Sequence, residues 1–194
     1  ATFVRADGSS ERIEADLVIG ADGAFSAVRA VMQRTERFDY SQSYLGHGYK
    51  ELTIPARADG SFAIDRNALH IWPRGGSMMI ALPNPDGSFT CTLFWPWEGA
   101  GSFAEVRGDE AVRRHFERFY PDAVPLMPTL LEDFRNNPVG SLVTVRCSPW
   151  HLNGTVALLG DAAHAVVPFY GQGANASFED CEALTDAMAA HPND

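Results

Sequence analysis

Two acidic residues stand where an aliphatic run ends in a glycine-containing turn. Asp16-Leu17-Val18-Ile19-Gly20-Ala21-Asp22-Gly23 leads into Ala24-Phe25-Ser26-Ala27-Val28-Arg29, and Leu158-Leu159-Gly160-Asp161 leads into Ala162-Ala163-His164. A carboxylate at the carboxyl end of a strand in an open α/β sheet lies where such sheets collect ligands, and it can accept hydrogen bonds from sugar-like hydroxyls. Seven residues after Asp161 comes Pro168-Phe169-Tyr170-Gly171-Gln172-Gly173-Ala174-Asn175. Its two glycines let backbone approach a flat ligand, and a helix starting there aims its free amides outward, where they attract negative charge. The plainer alternative is that Asp161 caps a turn and the glycines only end one element and begin the next. Two such strand ends in one short chain are harder to explain by packing, because a buried carboxylate needs partners.

A second group of residues could form a binding wall. Alternate side chains of a strand share a face, so Leu69 with Ile71, Met78 with Ile80 and Leu82, and Thr92 with Phe94 can line one apolar surface. The alternative is that this stripe is core against neighbouring helices. His70 and His164 lack companions at metal-ligand spacing and are expected to be satisfied structural histidines, so no metal is expected. Glu179-Asp180 falls early in a helix, where acids suit the dipole, and receives no catalytic role. No Ser-His-Asp set, P-loop or basic stripe occurs. The net charge of -10 disfavours nucleic acid or an anionic membrane as a partner. Cys91, Cys147 and Cys181 are widely spaced, which points to a reducing compartment.

The elements that must position these residues follow from periodicity. Phe3-Val4-Arg5 and Arg12-Ile13-Glu14 flank a glycine turn and predict a hairpin. Asp16 to Ile19 predicts a buried parallel strand, with Ser26 to Gln33 as the next helix. Tyr44 to Ile54, Ala68 to Trp72, Ser77 to Leu82 and Ser88 to Trp95 predict antiparallel sheet, the last two joined by Pro83-Asn84-Pro85-Asp86-Gly87. Helices are expected from Asp109 to Tyr120 and from Ala123 to Phe134. Leu142 to Arg146 and Thr155 to Leu159 predict strands, and a last helix runs from about Gln172 to Ala190. The fold class is therefore mixed α/β, with expected boundaries at 1–37, 38–140 and 141–194. Both ends read as cuts within a longer protein, and no run reaches the length of a membrane span.

The two acid-bearing segments resemble the downstream fingerprints of class A flavoprotein monooxygenases, the family that includes p-hydroxybenzoate hydroxylase. The resemblance implies a partial Rossmann-like FAD-binding domain with an inserted antiparallel substrate domain. It implies that Asp161 binds ribityl or ribose hydroxyls of FAD and that Pro168 and Gly171, Gln172, Gly173, Ala174 and Asn175 contact the isoalloxazine. Asp22, the backbone near Ala27, and Arg29 would help to bind FAD and serve the reduced nicotinamide.

Gly48-Tyr49-Lys50-Glu51-Leu52, Leu69-His70-Ile71-Trp72-Pro73-Arg74, Met79-Ile80-Ala81-Leu82-Pro83-Asn84, Phe89-Thr90-Cys91-Thr92-Leu93-Phe94 and Val167-Pro168-Phe169-Tyr170-Gly171-Gln172-Gly173 are similar, more narrowly, to the kynurenine 3-monooxygenase branch of that family. Ala174 departs from it, since the branch usually has Met there. The implied reaction is hydroxylation of L-kynurenine beside its amino group, dependent on NADPH and O2, through a flavin C4a-hydroperoxide. The wall residues named above, with Phe169, Tyr170 and Gln172, would face the substrate, and no side chain of this chain is an obvious acid or base. Neither a Gly-x-Gly-x-x-Gly turn nor the branch's substrate-carboxylate arginine and tyrosine pair occurs here, so the isolated chain is expected to be inactive. A hydroxylase of another aromatic acid and a non-catalytic binding fragment stay open. The Ala- and Gly-rich composition points to a cytoplasmic bacterial parent, and the resemblance implies a mitochondrial outer-membrane one if the parent is eukaryotic.

Overall fold

The structure, a computed structural model, describes residues 2–191, so the expectations for the extreme ends at 1 and 192–194 lie outside the described residues. It divides into two compact units, one formed by Ala1–Tyr44 and Val143–Asp194 and the other by Leu45–Leu142. The chain passes between them inside two long strands, which is why composition does not mark the boundary. One spans Asp39–Ile54 and the other Val139–Ser148.

The first unit opens with the expected hairpin, β1 (Thr2–Val4) and β2 (Ser10–Arg12), paired antiparallel. Next comes β3 (Val18–Gly20), followed by α1 (Ala27–Met32). After the excursion through β4 (Asp39–Ile54) and the second unit, the chain returns through β8 (Val139–Ser148), β9 (His151–Leu152) and β10 (Val156–Leu158). A single helical turn, α4 (Asp161–His164), a 3-10 turn at Pro168–Tyr170 and the long α5 (Gly173–Ala190) complete it. β10 lies between β3 and β9 and pairs parallel with β3, Leu158 opposite Gly20. The expectation of a buried strand is only half met. β3 is an edge strand, and Ile19 is exposed. The unit's core is small: Met32, Leu158, Ala162 and Ala163, with Val28, Phe38, Cys147, Leu152 and Val156 packed around them.

The second unit contains β5 (His70–Arg74), β6 (Ser77–Pro83) and β7 (Phe89–Pro96), then α2 (Asp109–Phe119), a 3-10 turn at Val124–Leu126 and α3 (Leu130–Asn136). Its sheet has the order β5-β6-β7-β4-β8. The helix expected over Ala123 to Phe134 is thus a 3-10 turn and a separate α-helix. Pro125 sits at the start of the 3-10 turn, and Pro128 follows it, a residue that disfavours helix at the position before it.

Strand alternation divides this sheet into two unlike faces. Trp72, Met79, Ala81, Cys91, Leu93, Leu52 and Ile54 point into a core closed by Val112, Phe116, Tyr120 and Leu130. Val112 and Phe116 are four residues apart on α2 and so share one stripe. Trp95 anchors an aromatic cluster, its ring 5.2 Å from Phe103, 4.6 Å from His115 and 5.9 Å from Phe134, mostly edge to face. On the other face the cross-strand register places Ile71 opposite Ile80, Ile80 opposite Thr92, and Thr92 opposite Glu51.

Candidate functional site

The parallel pairing of β3 and β10 brings the two acid-bearing turns side by side. Leu158 is level with Gly20, and the Leu159 amide donates to the Gly20 carbonyl at 3.0 Å. Asp22 therefore follows the end of one strand and Asp161 the end of its neighbour. Both carboxylates are exposed, not buried as the packing argument assumed.

The two acids do different work. Asp22 Oδ2 accepts from the amides of Ala27 at 2.7 Å and Val28 at 3.2 Å, capping α1 together with Ser26, whose hydroxyl accepts from the Arg29 amide at 2.9 Å. Burial pushes the Asp22 carboxyl up, but hydrogen bonds from the Ser26 hydroxyl and the Val28 and Ala27 amides outweigh it and hold the group below its ordinary value. Asp161 has no hydrogen bond or ion pair among the described residues. An exposed carboxylate at a strand end with no protein donor is free to accept from a ligand.

Arg29 is 2% exposed and serves as a brace. One guanidinium nitrogen donates to the Ala162 carbonyl at 2.7 Å, the other to the Ala24 carbonyl at 2.6 Å, and the group lies over the Tyr40 ring. It joins the turn after β3 to the turn after β10 and presents no open face of its own, although its Nε is buried without a partner. Ala27 is exposed on α1, with its amide already given to Asp22.

The glycine turn has the local form expected of it, a tight turn that leads into a helix. Pro168, Phe169 and Tyr170 form the 3-10 turn, ended by Gly171 in the left-handed region at φ 62°. Space beside the Gly171 Cα is open. Gln172 and Asn175 hold the turn internally, Gln172 Nε2 donating to the Tyr170 carbonyl at 3.2 Å and Asn175 Nδ2 to Gln172 Oε1 at 3.0 Å. α5 then begins at Gly173 with no side-chain cap and no acid in its first turn. The first amides of a helix lack intrahelical partners, so those at Gly173, Ala174 and Asn175 remain available to an anionic group. Tyr170 is 87% exposed, and Phe169 lies beside it on the same turn.

Asp180, which the sequence reading set aside, is the residue it missed. From α5 its Oδ2 accepts from the Gly160 amide at 2.7 Å and lies 2.7 Å from His164 Nε2. His164 is thereby engaged, with Trp150 against its ring, and His70 is bonded to the Asp65 carbonyl at 2.7 Å. A signal was present in retrospect, since His164 and Asp180 bracket the glycine turn, but nothing in their spacing marks a pair sixteen residues apart. Among the described residues no group of three metal-type side chains occurs, and no helix is long and apolar enough to cross a membrane.

In the second unit, Ile71, Met78, Ile80, Leu82 and Thr92 share the sheet face turned away from the helices, while Leu69, expected on the same strand, precedes β5 and is exposed. Ile71 and Leu82 are half exposed, and Met78, Ile80 and Thr92 partly covered. Phe94, level with Met78 and Tyr49, is the buried member. The alternative that this stripe is core against the helices does not describe it, because α2 and α3 pack on the opposite face.

A free strand-end carboxylate, uncapped helix amides and open space beside a glycine backbone make a donor and acceptor set suited to a flat, hydroxyl-tailed, anion-forming group such as FAD. The family model described as FAD binding domain matches residues 1–194. The chain belongs to this FAD-binding family. Kynurenine 3-monooxygenase of Dictyostelium discoideum is 59% identical over 177 residues, covering 91% of this chain and 38% of that protein. The enzyme of the same name from Flavobacterium psychrophilum is 54% identical over 187 residues, covering 96% and 42%. This FAD-binding chain thus spans about two-fifths of the length of the curated relatives it matches. Among solved structures, 2-methyl-3-hydroxypyridine-5-carboxylic acid oxygenase superposes with a TM-score of 0.70 at 22% identity, over 96% of this chain and 48% of that one. Klebsiella pneumoniae HpxO, complexed with FAD and uric acid, gives a TM-score of 0.60 at 25% identity over 92% and 43%. The fold is that of FAD-dependent oxygenases.

Proposed function

We propose that this chain is the part of a kynurenine 3-monooxygenase that holds the ribityl and ring end of FAD and offers an aromatic amino acid its apolar wall. The observation that carries the reading is Asp161, exposed and without a side-chain partner among the described residues, at the end of a parallel strand whose following Gly160 is bonded to α5, a helix with an uncapped start. The name of the relatives at 59% and 54% identity supports L-kynurenine as the substrate, and the reading takes NADPH and O2 as co-substrates.

When bound, FAD supplies the redox and oxygen chemistry that no side chain of the protein can perform. Asp161 accepts hydrogen bonds from its hydroxyl tail. The amides of Gly173, Ala174 and Asn175 would donate to an anionic part of the bound group, a preorganised donor set at the start of α5. Gly171 keeps backbone out of the way of the ring. In the second unit, the wall of Leu69, Ile71, Met78, Ile80, Leu82, Thr92 and Phe94 would offer an aromatic ring apolar surface, and in the first unit Phe169 and Tyr170 would flank the glycine turn. Asp22 and Arg29 act one step back, fixing the turns. The three cysteines are free, which fits a reducing, cytoplasmic setting.

The test uses the full-length protein that contains this chain. Asp161→Ala is expected to release FAD on gel filtration, with a loss of affinity on the order of ten- to a hundredfold, the range for a lost hydrogen bond to a charged group. A variant that elutes with full flavin content refutes the cofactor reading. NADPH consumption accelerated by L-kynurenine and not by salicylate or hydroxybenzoate is expected for the wild type. The reverse pattern moves the substrate to a phenolic acid.

A further inference from the structure

We infer that Asp180 is a positioning residue for FAD: its carboxylate clamps the turn that carries Asp161 to the helix that offers the ring-facing amides. The inference rests on the reading of Asp161 as the acceptor for the cofactor's hydroxyls.

The turn in question cannot hold its own shape. α4 has only four residues, Asp161–His164, and an isolated helical turn is far below the length at which helix is stable in water. Gly160, which precedes it, has φ 58° and ψ -140°, a backbone region open to glycine and strained for other residues. Something outside the turn must fix the direction in which Asp161 points.

Asp180 is placed to do so from both ends. A single oxygen, Oδ2, receives the Gly160 amide immediately before Asp161 and meets Nε2 of His164 at the far end of the same turn, each at 2.7 Å. The two side chains are well covered, 20% exposed for His164 and 14% for Asp180, so water competes little for these hydrogen bonds. One turn earlier on α5, Ser177 closes on the glycine itself. A Cβ at Gly160 would lie 2.8 Å from Ser177 Oγ and 3.2 Å from its Cβ. Backbone and helix are therefore in direct contact at Ser177, and Asp180, three residues on along the same face, locks that contact.

The consequence for the ligand follows from where α5 begins. The helix that bears Asp180 also presents the free amides of Gly173 to Asn175. One carboxylate thus sets the distance between the acceptor for the sugar-like tail and the donors for the ring. These two groups must meet different parts of one rigid-headed ligand at once, and preorganisation of that spacing lowers the cost of binding.

The experiment measures FAD affinity of the full-length apoprotein by flavin fluorescence quenching, alongside the melting temperature of the flavin-free protein. Asp180→Ala is expected to weaken FAD by about ten- to a hundredfold. Asp180→Asn keeps an oxygen where both donors arrive and is expected to recover affinity to within about fivefold of wild type, since it loses only the charge assistance. With FAD added to saturation, kcat and the KM for the aromatic substrate return to wild-type values in both variants, because the residue acts on the cofactor's seat and not on the reaction. His164→Ala removes one donor and leaves the other. It is expected to cost about threefold to tenfold in FAD affinity, and it serves as the deciding arm if Asp180→Ala does not fold. Wild-type FAD affinity in Asp180→Ala or His164→Ala, or equal losses in Asp180→Ala and Asp180→Asn that track a fall in apoprotein melting temperature, overturns the clamp. If Asp161→Ala keeps its FAD, the cofactor reading has failed instead, and the two failures are told apart by that single control.

Discussion

The two units reach order by different routes. In Leu45–Leu142 a sheet and two helices enclose Trp95, Phe89, Phe116 and Tyr120, all fully buried, and the unit supplies its own core. The unit formed by Ala1–Tyr44 and Val143–Asp194 buries little beyond Met32, Leu158 and two alanines, and leaves Phe25, Val31, Phe178 and Met188 exposed. What it has in place of a core is polar fastening: Asp22 on α1, Arg29 between two turns, Asp180 on Gly160 and His164. On the proposed reading this unit receives a ligand's hydroxyls and ring, and such a surface cannot also be filled with side chains. The difference teaches that order comes from a packed core in the second unit and from hydrogen-bonded turns in the first.

The largest expected effect tests the self-sufficiency of the second unit. Phe116→Ala empties the centre of its core and should destabilise it by about 3 to 5 kcal/mol. Trp72, Trp95 and Trp97 lie in this unit, so urea unfolding followed by tryptophan fluorescence reads it directly. A shift below about 1 kcal/mol would mean that the unit does not stand on this core.

A sharper version contrasts the two faces of one strand. Met79 is fully buried and Ile80, its neighbour, faces the open side. Met79→Ala should cost about 2 to 5 kcal/mol, whereas Ile80→Ala should cost less than about 1 kcal/mol and show itself in the KM for the aromatic substrate. Equal destabilisation by both would make the open face a second core and remove the argument for a binding wall.

Much of this was legible in the sequence because periodicity is a local signal. The strands Ser77–Pro83 and Phe89–Pro96 begin and end within a residue of where alternation and the Pro-Asn-Pro-Asp-Gly turn put them, and Asp109–Phe119 follows its i, i+4 stripe. Mixed α/β architecture was also readable, since it depends on the order of short periodic segments. The rest depends on contacts distant in sequence. That Ile19 would be exposed on an edge, that Arg29 would reach the Ala162 carbonyl 133 residues away, and that Asp180 would return to Gly160 twenty residues earlier cannot be read from spacing. The unit boundaries inside β4 and β8 left no compositional mark for the same reason: a strand that crosses from one unit to another keeps its alternation throughout.

The smallest expected effect separates the two acids that the sequence presents as equivalents. Asp22 spends its carboxylate on the amides of Ala27 and Val28, and its pKa in the folded protein lies below the ordinary value of 3.8 even though burial, the largest single influence, acts the other way. A carboxyl depressed on folding contributes stability that is fully present above its unfolded value and disappears as pH falls through the folded one. Asp22→Asn should therefore lower stability at neutral pH and flatten the acid end of the stability profile, below about pH 4, as measured by urea midpoints. Asp161→Ala removes no hydrogen bond within the protein and should leave the melting temperature of the flavin-free form unchanged while it costs the cofactor. If Asp22→Asn proves silent in stability and instead releases FAD, the two carboxylates share one task, and the division drawn between fastening and ligand contact does not hold even within the first unit.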